Sequence, residues 1–172
     1  CEGDSSVIAE HIRLENYVDT MSDLQRLEDI EVTKECIEVK EFEKQLRITG
    51  TAICTEKDFT LFQNLSDRQS VKIDIPVVMQ VYENLLSNAL RYTKTKIEVT
   101  VDRHNEFLML IVADDGTGFT SKDLSNAMKP FYRAESESHN EHFGMGLNIC
   151  KILCEKHGGY IQISNENGAK VI

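Results

Sequence analysis

Hydrophobic residues return at helical spacing near the start of the chain. Between residues 6 and 29, apolar side chains recur every three or four positions among many charged ones, which predicts an amphipathic helix. The apolar positions are Ile8, Ile12, Leu14, Tyr17, Val18, Met21, Leu24 and Leu27. A helix of this kind buries its apolar seam against another helix, in the same subunit or in a partner.

Alternating or continuous apolar runs predict strands along the rest of the chain, and wider apolar spacing predicts helices. The predicted strands are residues 31–40, 58–62, 70–73, 96–102, 107–113 and 160–163, with a last one beginning near residue 168. The predicted helices are residues 41–52, 76–92 and 147–157. Asp74 and Pro76 are typical of a helix start, and Gly158 and Gly159 are typical of a helix end.

The order of these elements mixes helices and strands without strict β-α-β alternation. This order predicts an α/β fold, a two-layer α/β sandwich with a mixed, mostly antiparallel sheet and helices on one face. The strand of residues 107–113 is continuously apolar, so we expect it near the centre of the sheet. The helix of residues 6–29 precedes this sandwich.

Composition narrows the class of protein. The chain has 172 residues, of which 41% are hydrophobic, and this suits one compact domain with a short appendage. No apolar run approaches the roughly 18 residues that cross a bilayer. The formal net charge of -10 argues against a nucleic-acid surface. Five scattered cysteines without a C-x-x-C pair favour a reducing, cytoplasmic setting.

A polar stripe follows one side of the predicted helix of residues 76–92. Gln80, Asn84, Asn88 and Arg91 fall within an arc of about 80° at 100° per residue. A solvated face is the ordinary explanation, but solvated faces favour Glu and Lys, and Asn is a mediocre helix former. Two amides one turn apart suit the ligation of a hard cation such as Mg²⁺.

Two aspartates follow the buried strand of residues 107–113 directly. Asp114 and Asp115 precede Gly116 and Gly118, so a carboxylate at the strand end could accept a hydrogen bond from an exocyclic amine of a purine. An ordinary Asp-Gly turn between two strands is the alternative. The segment that follows, residues 120–126, does not have the pattern of a pairing strand.

The Gly, Ser, Asn and Pro residues between positions 116 and 146 predict a long irregular segment. Segments of this length in a compact domain are usually functional lids or disordered. Within it, residues 129–133 form an apolar and basic island that either anchors the loop to the core or contacts phosphate. Gly144 and Gly146 open onto the helix that begins at Leu147, where free backbone N–H groups suit an anion.

These four motifs, in the order in which they occur along the chain, closely resemble those of the catalytic and ATP-binding domain of sensor histidine kinases. That domain belongs to the superfamily shared with gyrase, the Hsp90 chaperone and MutL. The similarity covers about residues 31–172 and implies the Bergerat-type ATP-binding fold. Residues 84–92 match the N box, 114–118 the first glycine box, 130–133 the phenylalanine box and 144–147 the second glycine box.

The resemblance implies roles for single residues. Asn88 would ligate Mg²⁺ with support from Asn84, Arg91 would meet phosphate, and these three would form the catalytic set. Asp114 would recognise adenine, and the segment of residues 116–146 would be the ATP lid. The further ATP-binding residues would be Tyr92, Gly116, Gly118, Phe131, Arg133, Gly144, Gly146 and Leu147.

The same resemblance divides the chain and predicts its partners. Residues 1–30 would be the second half of a dimerisation hairpin with its linker, and residues 31–172 a C-terminally truncated catalytic domain. The phosphoacceptor box is absent, since none of the five histidines lies in one. The implied partners are the dimerisation and phosphoacceptor domain of the same protein, a response regulator receiver domain and a second copy in a homodimer. The implied location is cytoplasmic, in a protein anchored in the cell membrane.

Three functions fit these motifs. The first is transfer of the γ-phosphate of ATP to a histidine outside the motifs found here. The second is an ATP-hydrolysing clamp of the gyrase or Hsp90 type, but those relatives have a Glu one turn before the metal-binding Asn, where this chain has Asn84. The third is a nucleotide-binding scaffold without transfer.

Overall fold

The structure, a computed structural model, describes residues 2–133 and 145–172. Five helices lie in these ranges: α1 Glu2–Glu28, α2 Val39–Ile53, α3 Ile75–Tyr92, α4 Ser121–Asn126 and α5 Gly146–His157. Seven strands lie there as well: β1 Glu35–Glu38, β2 Asp58–Gln63, β3 Ser70–Ile73, β4 Lys96–His104, β5 Phe107–Asp114, β6 Ile163–Asn165 and β7 Ala169–Val171.

The strands form a five-stranded sheet and a separate two-stranded one. The larger sheet has the order β2-β4-β5-β7-β6, in which β2 and β4 are parallel and the other neighbours are antiparallel. Strands β1 and β3 form the antiparallel two-stranded sheet. The predicted α/β fold with a mixed, mostly antiparallel sheet is confirmed, and β5 lies at its centre.

The hydrophobic core lies between the larger sheet and the helices. Ile97, Val99 and Val101 alternate along β4 and are buried, as a strand with one face on the core requires. They belong to one apolar cluster with Tyr82 and Leu86 of α3. Burial of each large apolar side chain contributes about 1.5–3 kcal/mol, so this contact holds α3 firmly on the sheet.

The start of α3 is fixed by Asp74. Its carboxylate accepts hydrogen bonds from Val77 N at 3.1 Å and from Thr33 N at 2.8 Å. Its backbone N–H donates to Nε2 of His157 at 2.9 Å. The predicted helix start is therefore confirmed, and the same residue ties the segment before β1 and the end of α5 to α3.

The predicted strand of residues 31–40 is wrong at both ends. The strand spans Glu35–Glu38, and Val39 is already the first residue of α2. Val39 N donates to Gln69 O at 3.0 Å, and the side chain is buried. The alternation of Ile37 and Val39 therefore reports burial on either side of a strand-to-helix turn, and the two positions do not share one strand.

Strand β6 begins later than predicted. It spans Ile163–Asn165, whereas the prediction was residues 160–163. The helix stop delays the strand, because Gly158 has a φ of 87° and Gly159 N returns to Cys154 O at 2.8 Å. The first reciprocal pair of backbone hydrogen bonds joins Gln162 and Ile172.

The segment of residues 116–146 is not wholly irregular, because it contains α4. The Thr120 side chain accepts from Asp123 N, and the Asp123 carboxylate accepts from Thr120 N at 2.8 Å. This reciprocal capping box is legible in the sequence, and the prediction missed it. Residues 134–144 lie outside the described part of the chain, so the lid prediction is untested there.

Helix α1 is longer than predicted and leaves most of its apolar seam exposed. Leu27 is buried and Leu24 half-buried near its end, whereas Ile8, Ile12 and Val18 are exposed. Lys156 of α5 donates to the carbonyl oxygens of Glu28 and Ile30, which joins the helix end to the domain. Among the described residues, no helix has both the length and the apolar character to span a membrane.

Candidate functional site

Helix α3 carries the polar stripe on a partly accessible face. Asn84 and Asn88 are half-buried, and neither side chain makes a hydrogen bond within the described residues. By contrast, the Asn148 and Asn165 amides are bonded to backbone atoms of Met128 and Phe119. The fold therefore leaves the two stripe amides available to a ligand.

Other members of the stripe differ in exposure. Gln80 is exposed at the start of the stripe, whereas Arg91 and Tyr92 are half-buried in the last turn of α3. Arg91 stands in the last turn of the helix, where a cation is favoured by the helix dipole. The stripe therefore deepens into the protein toward the C-terminal end of α3.

Asp114 is the last residue of β5, and only 8% of its surface is exposed. One carboxylate oxygen, Oδ1, accepts from Gly116 N at 2.8 Å and from Ala169 N at 3.4 Å. In the described part of the chain, Oδ2 has no hydrogen-bond partner. Burial raises the pKa of Asp114, and the bonds from Gly116 and Ala169 oppose that rise. A buried carboxylate with one uncommitted oxygen suits an amine donor.

The neighbouring Asp115 has a different environment. Its carboxylate accepts hydrogen bonds from the hydroxyl groups of Thr93 and Thr95 and from the backbone N–H groups of Lys94, Thr95 and Lys96. These bonds, with Thr95 first, hold the pKa of Asp115 far below its usual value. Asp115 thus anchors the loop between α3 and β4 to the end of β5.

Two glycines after Asp114 allow close approach of other backbone segments. A side chain at Gly116 would place its Cβ 2.2 Å from the carbonyl oxygen of Tyr92. Gly118 has a φ of 76°, and its Cβ would lie 2.7 Å from Oδ1 of Asn165. The strand end therefore packs directly on the end of α3 and on the β6–β7 hairpin.

Helix α5 begins beside open space. Gly144 lies outside the described residues, whereas Gly146 is the first residue of the helix and Leu147 is buried. Among the described residues, and apart from its chain neighbours and the backbone of α5 itself, no atom lies within 4 Å of a Cβ built at Gly146. The Met145 side chain accepts no capping hydrogen bond from the start of α5, so the first backbone N–H groups of the helix have no side-chain cap from this residue.

Phe131 and Arg133 lie just before the segment that is not described, and both are half-buried. Phe131 has a φ of 61°, its backbone N–H donates to Sδ of Met145 at 3.3 Å, and its ring stacks on Tyr17 of α1 at 5.1 Å. The apolar anchor expected for this segment therefore includes a contact with α1. The sequence offered no signal for that contact, because residues 17 and 131 are far apart in the chain.

Part of the predicted site lies at one end of the sheet. The strand end at Asp114, the last turn of α3 and the β6–β7 hairpin are joined through Gly116 and Ala169. Sequence reasoning missed Asp115 as a contributor, although its neighbour was singled out. The two threonines at positions 93 and 95 were the available signal. Their contact with Asp115 forms only when the end of β5 packs against the loop that carries them.

The donor set fits Mg²⁺ bound together with phosphates. Amide oxygens are hard ligands, and Mg²⁺ commonly takes its other ligands from water and substrate phosphates. Within residues 2–133 and 145–172, no group of three or more His, Cys, Asp or Glu side chains could hold a metal. A protein-only metal cage is therefore absent from the described chain, and the two uncommitted amides remain the candidate ligands.

Comparison with known families gives one broad match. Residues 73–172 match the profile of the family described as histidine kinase-, DNA gyrase B-, and HSP90-like ATPase. That range contains all four motifs and the elements α3 to β7.

Among individual relatives, the sensor protein SrrB of Staphylococcus aureus (strain NCTC 8325 / PS 47) is 28% identical over 168 residues. The alignment covers 94% of this chain and 29% of that protein. The chain thus spans under a third of the length of this curated relative.

Solved structures agree with the fold. The catalytic domain of histidine kinase ThkA superposes with a TM-score of 0.68 at 23% identity, covering 81% of this chain and 92% of that one. The Acinetobacter baumannii histidine kinase AdeS superposes with a TM-score of 0.68 at 20% identity, covering 97% and 79%. Full-length ShkA in complex with AMPPNP superposes with a TM-score of 0.66 at 19% identity, covering 83% and 30%.

Proposed function

Because the chain belongs to the family of histidine kinase-, DNA gyrase B- and HSP90-like ATPases, we propose that it binds Mg-ATP and donates the γ-phosphate to a histidine on a dimerisation domain. The observation that supports this most is the set of polar atoms that the fold leaves uncommitted: the amides of Asn84 and Asn88 and Oδ2 of Asp114.

Asp114 binds the adenine. Its Oδ2 accepts a hydrogen bond from the exocyclic amine, while Oδ1 stays bonded to Gly116 N and Ala169 N. These two bonds fix the carboxylate before the base arrives, so little ordering is required on binding. A base that presents a carbonyl at this position would face a carboxylate oxygen and be rejected.

The amides of α3 hold the metal end of the nucleotide. Asn88 offers its side-chain oxygen as a ligand, and Asn84 lies one turn earlier on the same face. Bound Mg²⁺ would supply neutralisation of the phosphate charge. Arg91 follows Asn88 by three residues, about one helical turn, in the last turn of α3. Its positive charge would attract the same phosphates, whereas the net charge of -10 of the whole chain repels them.

The start of α5 completes the phosphate site. The backbone N–H groups at its start receive no side-chain cap from Met145, and this, with the absence of a side chain at Gly146, suits an anion. Tyr92, Gly118, Phe131, Arg133, Gly144 and Leu147 are proposed to line the remainder of the nucleotide site.

Transfer then depends on position. A nitrogen of the acceptor imidazole attacks the γ-phosphorus in line, the bond to the bridging oxygen breaks, and ADP leaves. The acceptor is not among the described histidines by motif. His11 is exposed on α1 and lies 3.2 Å from Glu15, His104 ends β4, and His157 is engaged with Asp74.

The proposed partners follow from the family. They are the dimerisation and phosphoacceptor domain of the same protein, a second copy in a homodimer and the receiver domain of a response regulator. We propose that the domain works in the cytoplasm as part of a two-component sensor anchored in the cell membrane.

Binding of Mg-ATP by three proteins tests this function. The wild type should bind ATP with higher affinity in Mg²⁺ than in EDTA. Asp114→Asn should lose preference for ATP over GTP, because the amide can donate to a guanine carbonyl. Asn88→Ala should lose the gain from Mg²⁺. Equal behaviour of all three proteins would contradict the site.

Phosphotransfer needs its own assay with a separately supplied dimerisation domain of the parent protein and radiolabelled ATP. We expect label on the acceptor histidine and slow steady-state hydrolysis without the acceptor. Fast hydrolysis would favour the clamp, and Asn84→Glu is the variant that should raise it. Nucleotide binding without transfer would favour the scaffold.

A further inference from the structure

Asp115 joins the two elements between which the nucleotide is proposed to lie. We propose that Asp115 is a positioning residue, whose carboxylate holds the end of α3 at a set distance from the strand end that carries Asp114. The inference rests on the proposed ATP site, and it gives a role to a side chain that has no assigned contact with the nucleotide.

The carboxylate of Asp115 serves one loop. Oδ1 accepts from Thr93 Oγ1 at 2.7 Å, from Lys94 N at 2.8 Å and from Thr95 N at 3.0 Å. Oδ2 accepts from Thr95 Oγ1 and, at 3.2 Å, from Thr95 N. Thr93 is the C-cap that directly follows α3, and Lys96 begins β4. The bonds therefore act on the exit of the helix that carries Asn84 and Asn88.

Three consecutive residues lock the strand end to three different segments. Asp114 bonds the β7 backbone through Ala169 N, Asp115 bonds the α3–β4 loop, and Gly116 lies against the carbonyl oxygen of Tyr92. Of these, only the Asp115 contact is made by a side chain that no proposed nucleotide contact uses. It can therefore be altered without removing a ligand of adenine or metal.

ATP would span the gap that this contact sets. Adenine is held at Asp114 and the metal-bound phosphates at Asn88, so the second end binds at an effective concentration fixed by the separation of the two elements. In catalysis, a misplacement of about 1 Å can cost on the order of a hundredfold in rate, which shows how steeply an interaction depends on such a separation. Loss of the bonds that hold the C-terminal end of α3 should therefore lower the affinity for ligands that contact both elements. The affinity for ligands that contact only one element should change little.

The test compares two ligands. In Asp115→Ala, affinity for Mg-ATP should fall about tenfold or more, whereas affinity for adenosine should change by less than about twofold. Asp115→Asn should restore Mg-ATP binding in large part, because its amide oxygen can still accept from Thr93 Oγ1 and Lys94 N. Calorimetry gives the first affinity, and competition gives the second.

Asp102→Ala is the matched control. Asp102 is also a hydrogen-bonded aspartate, bonded to Arg103 N and to Asn64 Nδ2, but it lies near the other end of β4. Its loss should leave the ratio of the two affinities unchanged. If Asp115→Ala does not fold by circular dichroism, Thr95→Val, which removes one hydroxyl from the same contact, should lower the ratio by a smaller factor.

The outcomes separate the two proposals. Wild-type binding of Mg-ATP with an unchanged affinity ratio in folded Asp115→Ala and Thr95→Val overturns the positioning role alone. An equal fall for adenosine and Mg-ATP overturns it as well, because it indicates general loss of structure. Failure of the wild type to bind Mg-ATP overturns the proposed function and the positioning role with it.

Discussion

Two adjacent carboxylates at the end of β5 have pKa values shifted in opposite directions. Burial raises the pKa of Asp114, whereas hydrogen bonds from Thr95 and its neighbours lower the pKa of Asp115. The environment therefore separates two chemically identical side chains into a buried carboxylate with a free acceptor and a fully bonded loop anchor. Their order in the sequence alone does not reveal which is which.

The glycines of the site also differ at the scale of the residue. Gly116→Ala should lower the melting temperature, because its Cβ would lie 2.2 Å from a backbone oxygen that cannot move freely. Gly146→Ala should leave it unchanged or slightly raised, since the space is open and Ala is a better helix former by about 1 kcal/mol at most. Thermal melts of both variants provide the measurement.

Nucleotide binding separates the two glycines further. If phosphate lies against the start of α5, Gly146→Ala should lower the affinity for Mg-ATP while the fold stays intact. A variant that melts like the wild type and also binds ATP like it would remove Gly146 from the proposed site.

At the scale of the element, the segment between α1 and β1 is held by a shared contact of α3 and α5. Asp74 bonds Thr33 N through its carboxylate and His157 Nε2 through its own N–H. Since Nε2 accepts a hydrogen bond, the imidazole must be neutral at this atom. Burial, together with the charge of Lys34, lowers the pKa of His157, and the charge of Asp74 opposes that shift.

This contact predicts a loss of stability in mild acid. The folded-state pKa of His157 lies below the unfolded value of about 6.5, so its stabilisation is complete above that pH and is lost as pH falls through the folded pKa. Thermal melts between about pH 7.5 and pH 5 should show a decline that is smaller in His157→Gln. Equal slopes in the two proteins would show that His157 is not the titrating group.

At the scale of the whole molecule, α1 contributes little to the core. Leu27 is the one residue of α1 in the buried core cluster of the described chain, with Leu24 packed against it. The domain boundary near residue 30 stays a prediction, and a chain of residues 31–172 should fold alone. Its free energy of unfolding should fall by about 2–3 kcal/mol, the loss expected for one large apolar side chain.

Urea unfolding of that shorter chain measures the loss, and ATP binding measures whether the site survives. Removal of α1 also removes the contact of Tyr17 with Phe131. The nucleotide affinity of the shorter chain therefore tests whether α1 influences binding through residues 129–133. Failure of residues 31–172 to fold would contradict the boundary. Tyr17→Ala in the full chain separates the aromatic contact from the loss of Leu27.

Much of the fold was legible in local patterns. The span of α3 follows from Asp74 and Pro76 at its start, and the ranges of β3, β4 and β5 follow from apolar patterns that match the structure within about two residues. Local reading failed where one pattern served two elements, as at Ile37 and Val39, and where a capping box inside a polar segment was overlooked, as at Thr120 and Asp123.

The sequence by itself determined the class of fold, the polar stripe of α3 and the strand-end carboxylate, because helix periodicity, strand alternation and capping act over a few neighbouring residues. Tertiary structure alone decided the strand order, the bond of Asp115 to residues 93–96 and the stacking of Tyr17 on Phe131. These contacts join segments distant in the chain, and the packing of the whole domain selects them from many locally equivalent pairings.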